Sequence, residues 1–151
     1  MKKKSNSIEQ ARNYAFLLLK FRLRSENELY QRLVKKGFSV EVAKEVVSFL
    51  REKRFIDDKL FTKAWVDSRI KKPFGVRRIK QELLRKGIAQ EVIDKQLAQI
   101  KENYFEIDVV RQISEERFKK LSGVVPEAAK RRVYGYLLRR GFSPEVILEV
   151  L

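Results

Sequence analysis

Apolar residues recur along the chain at intervals of three and four positions, the spacing that places them on one face of an α-helix. The first such stretch, residues 8–24, carries them at Ile8, Ala11, Ala15, Leu18 and Leu19. No run of alternating apolar and polar residues reaches the length of a strand. The pattern therefore predicts an all-α protein.

Residues that start and stop helices divide this pattern. Ser25 and Glu28, three positions apart, form the sequence of a capping box at a helix start. Gly37 follows as a helix end, because glycine easily adopts the left-handed conformation that closes a helix. Ser39 is predicted to cap the next helix, and the pair Ser143–Pro144 to open the last one.

A short phrase, Leu-Leu-Arg-Lys-Gly-Ile at 83–88, recurs with small changes at 33–38 and 137–142. The glycines of the three copies lie 50 and 54 residues apart, a period typical of repeat arrays. We predict three tandem three-helix repeats that form an elongated, curved array, because units of about 50 residues are marginal alone and must share a core. The predicted repeats are 1–54, with a basic N-terminal tip, 55–105 and 106–151.

The charge composition adds an indication of the partner to this prediction of the fold. The 35 Lys and Arg against 20 Asp and Glu give a net charge of +15. Such an excess indicates a polyanionic partner, nucleic acid first and an anionic membrane surface second. Segments 1–24, 71–86 and 126–140 hold net charges of +6, +6 and +4, whereas 89–102 has two basic and three acidic residues. The charge thus concentrates on the N-terminal segment and on the second helices of repeats two and three.

The pattern argues against a membrane span and a secretion signal. Apolar runs such as 15–19 fall far short of the ~20 residues that a transmembrane helix needs. Met1 and the three lysines after it resemble a signal-peptide start, but Glu9, Arg12 and Lys20 interrupt the apolar region that should follow. We expect a disordered basic tip, a monomer and a cytoplasmic location, which the lack of cysteine also fits.

The usual signatures of catalysis are missing. The chain has no Cys and no His, which removes thiolate chemistry, the common nucleophile–base pairs and the usual zinc sites. Its six glycines are scattered singly, so no glycine loop cradles a phosphate. Asp57 and Asp58 could bind a metal, but a helix cap and a favourably placed acid at a helix N-terminus explain them more simply. We predict no enzymatic activity and no cofactor.

A helical projection of 76–86 separates an apolar face from a basic one. Val76, Ile79 and Leu83 lie on the first, and Arg77, Arg78, Gln81 and Arg85 lie broadly opposite. A merely solvated face normally mixes both signs of charge, so the scarcity of acids favours a binding surface. Arginine's planar fork suits phosphates and also carboxylates, so an acidic protein surface is a second possible partner.

Several weaker features have simpler interpretations. Trp65, Tyr104 and Phe105 could stack on bases, although the helical spacing of Trp65 beside Phe61 and Val66 favours a core position. The glycine turns between helices resemble helix-turn-helix DNA readers, but short helical turns are common.

Two motifs and a closing phrase carry a family resemblance over nearly the whole chain. They are Phe55-Ile-Asp-Asp with Phe61, Ala64, Val66 and Arg69; Gly75-x-x-Arg78-Ile79-x-x-Glu82-Leu83-x-x-Lys86-Gly87-Ile88; and Leu137-Leu-Arg-Arg-Gly-Phe-Ser-Pro-Glu-Val. On these residues the chain resembles the bacterial RecX regulatory proteins. Thr62, where many relatives carry alanine, is a small departure that affects nothing functional.

The resemblance implies a three-repeat helical fold and a non-enzymatic role in DNA repair, recombination and the SOS response. Proteins of this kind bind the recombinase RecA and its nucleoprotein filament, commonly restraining its activities, and some bind DNA directly. Together with the charge, this gives the hypothesis that the basic second helices contact RecA and its single- or double-stranded DNA. The predicted binding residues are Arg69, Lys71, Lys72, Arg77, Arg78, Lys80, Arg85, Lys86, Lys130, Arg131, Arg132, Arg139 and Arg140.

Two other functions stay open at this point. One is a stand-alone helical DNA-binding protein that acts independently of a recombinase. The other is a metal-dependent nuclease that hinges on Asp57 and Asp58.

Overall fold

The structure, a computed structural model, describes residues 7–151, so the predicted basic tip at Met1–Lys4 lies outside the described residues. Within them the chain forms helices and no strand, which confirms the predicted all-α class. The helices are α1 (Ile8–Phe21), α2 (Glu26–Lys36), α3 (Val40–Glu52), α4 (Asp58–Ile70), α5 (Val76–Arg85), α6 (Gln90–Ile100), α7 (Glu106–Lys120), α8 (Pro126–Arg139) and α9 (Pro144–Val150).

The predicted helix ends are confirmed at atomic level. The Ser25 hydroxyl accepts a hydrogen bond from the Glu28 amide at 3.1 Å, and the Glu28 carboxylate accepts one from the Ser25 amide at 3.1 Å. Ser39 and Ser143 accept in the same way from the amide three residues on. Gly37 closes α2 with a φ of 118°, in the left-handed region.

The first helix is shorter than the predicted 8–24, because it ends at Phe21. Arg22 is fully extended, and its guanidinium donates to the Leu23 carbonyl at 2.9 Å and to Glu28 at 2.6 Å. These contacts hold the connector in an extended path to the cap at Ser25. The sequence contains no helix breaker there, so periodicity alone places the end too late.

Apolar faces of successive helices pack into hydrophobic cores. One core lies among α1, α2 and α3 and includes Ala11, Ala15, Leu18, Leu29, Leu33, Val46 and Leu50. Another lies among α7, α8 and α9 and includes Val110, Val133, Leu137, Phe142 and Ile147. Full burial of one such large side chain stabilises a fold by about 1.5–3 kcal/mol, so each helix triplet has a substantial driving force.

The described chain divides into two compact units, and the division runs through the middle triplet. One unit contains the described residues up to Ala64 together with Leu84–Val92, and the other contains Trp65–Leu83 together with Ile93–Leu151. The two ends of α5 therefore belong to different units. The repeat boundaries at 54 and 105 stay a prediction.

In the first unit, the turn that closes α5 lies against the N-terminus of α2. The Ser25 hydroxyl donates to the Lys86 carbonyl at 2.8 Å. Gly87 has a φ of 76°, and a Cβ there would lie 2.5 Å from Cβ of Asn27. The absence of a side chain at Gly87 is what allows this close contact.

In the second unit, the turn that closes α8 lies against the N-terminus of α5 in the same way. The Gly75 amide donates to the Arg140 carbonyl at 2.8 Å. A Cβ on Gly75 would lie 2.1 Å from the Gly141 carbonyl oxygen, and a Cβ on Gly141 would lie 2.2 Å from Cβ of Arg78. The lack of a side chain at both glycines therefore allows the two main chains to come this close.

Replacing Gly75 by alanine should destabilise the protein strongly. The new methyl group would collide with main-chain atoms of Gly141, which cannot swing aside as a flexible side chain would. We expect Gly75→Ala to lower the free energy of unfolding by about 2–4 kcal/mol, as for severe overpacking, measured by urea denaturation. Gly123→Ala is the control, because no atom lies within 4 Å of a Cβ at Gly123. An equal effect of both substitutions would contradict the proposed close contact.

Candidate functional site

The predicted binding residues fall into two groups with different surroundings. Eight are exposed, and none of the eight forms an ion pair with a carboxylate of residues 7–151. These are Lys71, Lys72, Arg77, Arg85, Lys130, Arg131, Arg132 and Arg139. The other five are half-buried and take part in internal contacts; they are Arg69, Arg78, Lys80, Lys86 and Arg140.

Three of the half-buried arginines surround the ring of Phe74, which lies in the loop between α4 and α5 and is 7% exposed. The guanidinium carbons of Arg140, Arg78 and Arg69 lie 4.2, 4.3 and 5.0 Å from the ring centroid. A cation–π contact stabilises by about 0.5–1 kcal/mol at the surface and more when water is excluded. The positive charges of these arginines therefore help to stabilise the fold around Phe74.

Hydrogen bonds fix two of these guanidinium groups to the main chain. Arg140 donates to the carbonyls of Lys72 and Pro73, the latter at 3.0 Å. Arg78 donates to the Arg139 carbonyl at 3.1 Å. The helical projection had placed Arg78 on the face away from the core. The structure instead buries it partly, because the Gly75–Gly141 contact brings the end of α8 over its side chain.

The remaining three half-buried cations form ion pairs with carboxylates. Arg69 pairs with Glu82 at 2.6 Å, and Lys80 pairs with Asp94 at 3.2 Å. Lys86 lies 3.3 Å from Glu28, which also binds Arg22.

The contacts of Glu28 with Arg22, Lys86 and the Ser25 amide change the pKa of its carboxyl group. Burial alone would raise the pKa of Glu28. The hydrogen bonds from Arg22 and the Ser25 amide, together with the nearby charge of Lys86, outweigh burial and bring that pKa below its usual value. Glu28 therefore stays ionised at neutral pH, where its carboxylate accepts the hydrogen bond from the Ser25 amide.

Asp57 and Asp58, the candidate metal pair, both serve as helix caps. Asp57 accepts from the amides of Lys59 at 2.8 Å and Leu60 at 3.4 Å, so it is the predicted N-cap of α4. Asp58 accepts from the Glu26 amide at 2.9 Å, at the start of α2. Burial raises the pKa of Asp58, and the neighbouring charges of Glu26 and Asp57 add to this rise. Among residues 7–151, no cluster of three potential metal ligands is found.

The aromatic candidates are divided between the interior and the surface. Trp65 is half-buried, with the Arg69 guanidinium 4.6 Å from its ring centroid. Tyr104 donates to the Phe74 carbonyl at 2.9 Å, and burial raises the pKa of Tyr104 to about 12. Phe105 is 58% exposed and is the one of the three whose ring is open to a partner.

The exposed basic residues belong to two places. Arg77, Gln81 and Arg85 follow one another at four-residue intervals on the exposed face of α5, after Lys71 and Lys72 in the preceding turn. Along α8, the exposed basic residues are Lys130, Arg131, Arg132 and Arg139.

A cleft of about 390 Å³ between α7 and α8 brings some of these residues together with two more. Arg117 and Lys120 join Arg131, Arg132 and Arg139 in its lining. Sequence reasoning missed Arg117 and Lys120, because α7 also carries Glu115 and Glu116 and looks mixed in charge. The basic last turn of α7 was the signal that could have found them. Along the part of the chain that the structure describes, no helix is both long and apolar enough to cross a bilayer.

Comparison with known families matches the chain in three consecutive segments. The models described as the first, second and third three-helix domains of RecX match residues 11–50, 57–97 and 105–151. The predicted fold of three tandem three-helix repeats is thereby confirmed.

Curated relatives match almost the entire chain. The regulatory protein RecX of Caldanaerobacter subterraneus subsp. tengcongensis is 36% identical over 148 residues, which cover 97% of this chain and 72% of the relative. The regulatory protein RecX of Chlorobium limicola is 32% identical over 147 residues, which cover 97% of this chain and 90% of the relative.

Solved structures share the fold. A crystal structure of RecX from Lactobacillus salivarius aligns with a TM-score of 0.79 at 21% identity, covering 95% of this chain and 93% of the other. A second crystal structure, of a regulatory protein RecX, aligns with a TM-score of 0.81 at 22% identity, covering 95% and 70%.

Asp58 gives a test of the capping role. Asp58→Asn keeps an oxygen acceptor for the Glu26 amide but removes a charge that burial disfavours, so its free energy of unfolding at pH 7 should equal or exceed that of the wild type. Asp58→Ala leaves the amide without its partner and should lose about 1 kcal/mol. Urea denaturation at pH 7 measures both.

The pH dependence of the same pair has a definite sign. A carboxyl whose pKa is raised in the folded state favours folding at pH values below its unfolded pKa, and that contribution is lost as pH rises through the folded pKa. The advantage of Asp58→Asn over the wild type should therefore be larger at pH 7 than at pH 4. An asparagine variant as unstable as the alanine variant would contradict the assignment.

Proposed function

The chain belongs to the RecX family of regulatory proteins, and from that premise we propose that it modulates the RecA recombinase without catalysing a reaction itself. It binds the recombinase and its DNA filament through basic side chains and restrains the recombinase's activity. Its partners are the RecA filament and the single- or double-stranded DNA within it.

The observation that supports this proposal is that the basic residues differ in exposure and in their contacts. The five half-buried cations already have internal contacts, whereas the eight exposed ones are not ion-paired with any carboxylate in residues 7–151. Side chains of like charge on one exposed face repel one another, and a bound polyanion reduces that repulsion. The eight residues therefore suit a partner that carries phosphates or acidic side chains.

The exposed face of α5 is suited to a periodic partner. Arg77 and Arg85 are eight residues apart, which at the helical rise of 1.5 Å per residue separates them by about 12 Å along the helix. Lys71 and Lys72 add two more exposed cations in the preceding turn, so the segment presents several charges rather than one. Such spaced cations can follow a filament groove and bridge neighbouring recombinase protomers.

Reversing two of these charges should weaken the effect on the recombinase. For Arg77→Glu with Arg85→Glu, we expect half-maximal suppression of RecA ATP hydrolysis on single-stranded DNA to require at least about tenfold more protein, since each lost charged contact is worth about 1.5–3 kcal/mol. Far-UV circular dichroism should be unchanged, because both side chains are exposed. Arg78 is left intact because it holds the loop at Phe74.

The matched control reverses the same number of charges elsewhere. Lys63 and Lys95 are exposed on α4 and α6 and form no ion pair with the carboxylates of the described residues. Lys63→Glu with Lys95→Glu should suppress ATP hydrolysis nearly as well as the wild type. Wild-type potency of the Arg77/Arg85 variant, or an equal loss in the control, would refute this surface.

Salt provides a second measurement. Contacts between exposed charges are screened as ionic strength rises, and phosphate contacts release counterions in proportion to their number. The filament affinity of the wild type should therefore fall steadily with salt. The Arg77/Arg85 variant should show a shallower slope, by roughly one unit for each phosphate contact removed.

The alternative function, a DNA-binding protein that needs no recombinase, is favoured by one observation: the cleft between α7 and α8 gathers five cations in one place. It predicts tight DNA binding by the isolated protein together with no effect on recombinase ATP hydrolysis. An effect on that hydrolysis that persists when single-stranded DNA is in large excess over the protein decides for the modulator.

A further inference from the structure

We propose that the cleft between α7 and α8 is a phosphate-binding site and that the phosphates it takes belong to a nucleic-acid strand. Its volume of about 390 Å³ lies in the range of ordinary small-ligand sites. The lining consists of five basic side chains and three small or aliphatic residues, namely Arg117, Lys120, Arg131, Arg132 and Arg139 with Leu121, Val133 and Gly135.

The charge of the lining selects the ligand. No carboxylate is among the lining residues, and Lys120, Arg131, Arg132 and Arg139 form no ion pair with the acids of residues 7–151. A nucleic-acid strand brings a negative charge at every backbone phosphate, so it can meet several of these cations at once. Arginine forks also match phosphate geometry with two parallel hydrogen bonds. These features suit the closely spaced phosphates of a nucleic-acid strand, and an acidic peptide is the competing ligand that a polyglutamate titration tests.

The helix dipole does not overturn this preference. α7 ends at Lys120, so its C-terminal carbonyls place a partial negative charge of about half a unit near the cleft. Five full positive charges surround the same space. The net potential in the cleft is therefore strongly positive.

Two features shape the cleft before any ligand arrives. Arg117 stacks on Tyr136, with its guanidinium carbon 3.8 Å from the ring centroid, which fixes the group while its edge can still donate. Gly135 lies inside α8, where glycine is a poor helix former. A Cβ on Gly135 would lie 3.2 Å from Nη1 of Arg139, so the missing side chain leaves room for that arginine beside the cleft.

The inference rests on the proposed function in one respect, since the strand in the cleft would be the DNA of the filament. Its test omits the recombinase, so the two can fail separately.

The experiment titrates the full chain with inorganic pyrophosphate and, separately, with a twelve-nucleotide oligothymidine, by isothermal titration calorimetry at low salt. We expect Arg132→Glu with Arg139→Glu to weaken the binding of either probe by at least about tenfold. Gly135→Leu tests shape without changing charge. It should fill the cleft and weaken binding by a similar factor, while the thermal midpoint stays equal or rises.

The control reverses Lys95 and Lys119, which are exposed on α6 and α7 and do not line the cleft. Retained binding in Lys95→Glu/Lys119→Glu supports the site. Binding of the oligonucleotide alone, or more tightly than pyrophosphate, supports the assignment to a nucleic-acid strand, whereas binding of pyrophosphate alone overturns it. Wild-type affinity in both cleft variants, an equal loss in the control, no binding of either probe, or binding of a polyglutamate peptide in their place would overturn it.

Discussion

The close approach of Gly75 to the turn at Gly141 determines the arrangement of the second unit. The two main chains come near enough for the Gly75 amide to reach the Arg140 carbonyl at 2.8 Å, a distance that no side chain on either glycine would permit. This contact carries Phe74 in beside Arg78 and Arg140, whose guanidinium groups lie 4.3 and 4.2 Å from its ring. A backbone contact thus decides which arginines serve the fold and which stay available to a partner.

The first unit contains a similar contact between a turn and a helix start, made by a side-chain hydroxyl instead of a main-chain amide. The Ser25 hydroxyl reaches the Lys86 carbonyl at 2.8 Å, and Gly87 admits Asn27 as Gly141 admits Arg78. In both places, a turn after a second helix meets the start of the second helix in the preceding triplet. Repeat proteins are stabilised by such nearest-neighbour contacts. The middle triplet takes part in both contacts.

The sequence was a reliable guide where the deciding interaction was local. The capping box joins Ser25 and Glu28, three residues apart, and needs no knowledge of the rest of the chain. It was a poor guide where the deciding contact was distant. Arg77 and Arg78 are identical neighbours on one helix, yet only Arg78 is drawn inward, by a carbonyl 61 residues away. Arg117 shows the converse, because acids beside it in sequence concealed a place in a basic cleft.

Burial of the arginine side chains does not remove their charge from the protein's field. Arg140, whose guanidinium lies over the ring of Phe74, still adds its positive charge to that field. Its Nη2 group, however, already donates to the carbonyls of Lys72 and Pro73. Such a residue attracts a polyanion from a distance but contributes little to the final contact, because long-range potential governs association rates and short-range pairing governs dissociation. In the proposed binding to a polyanion, the internal and exposed cations therefore have different parts: the net charge of +15 steers the encounter, and the exposed groups make the short-range contacts.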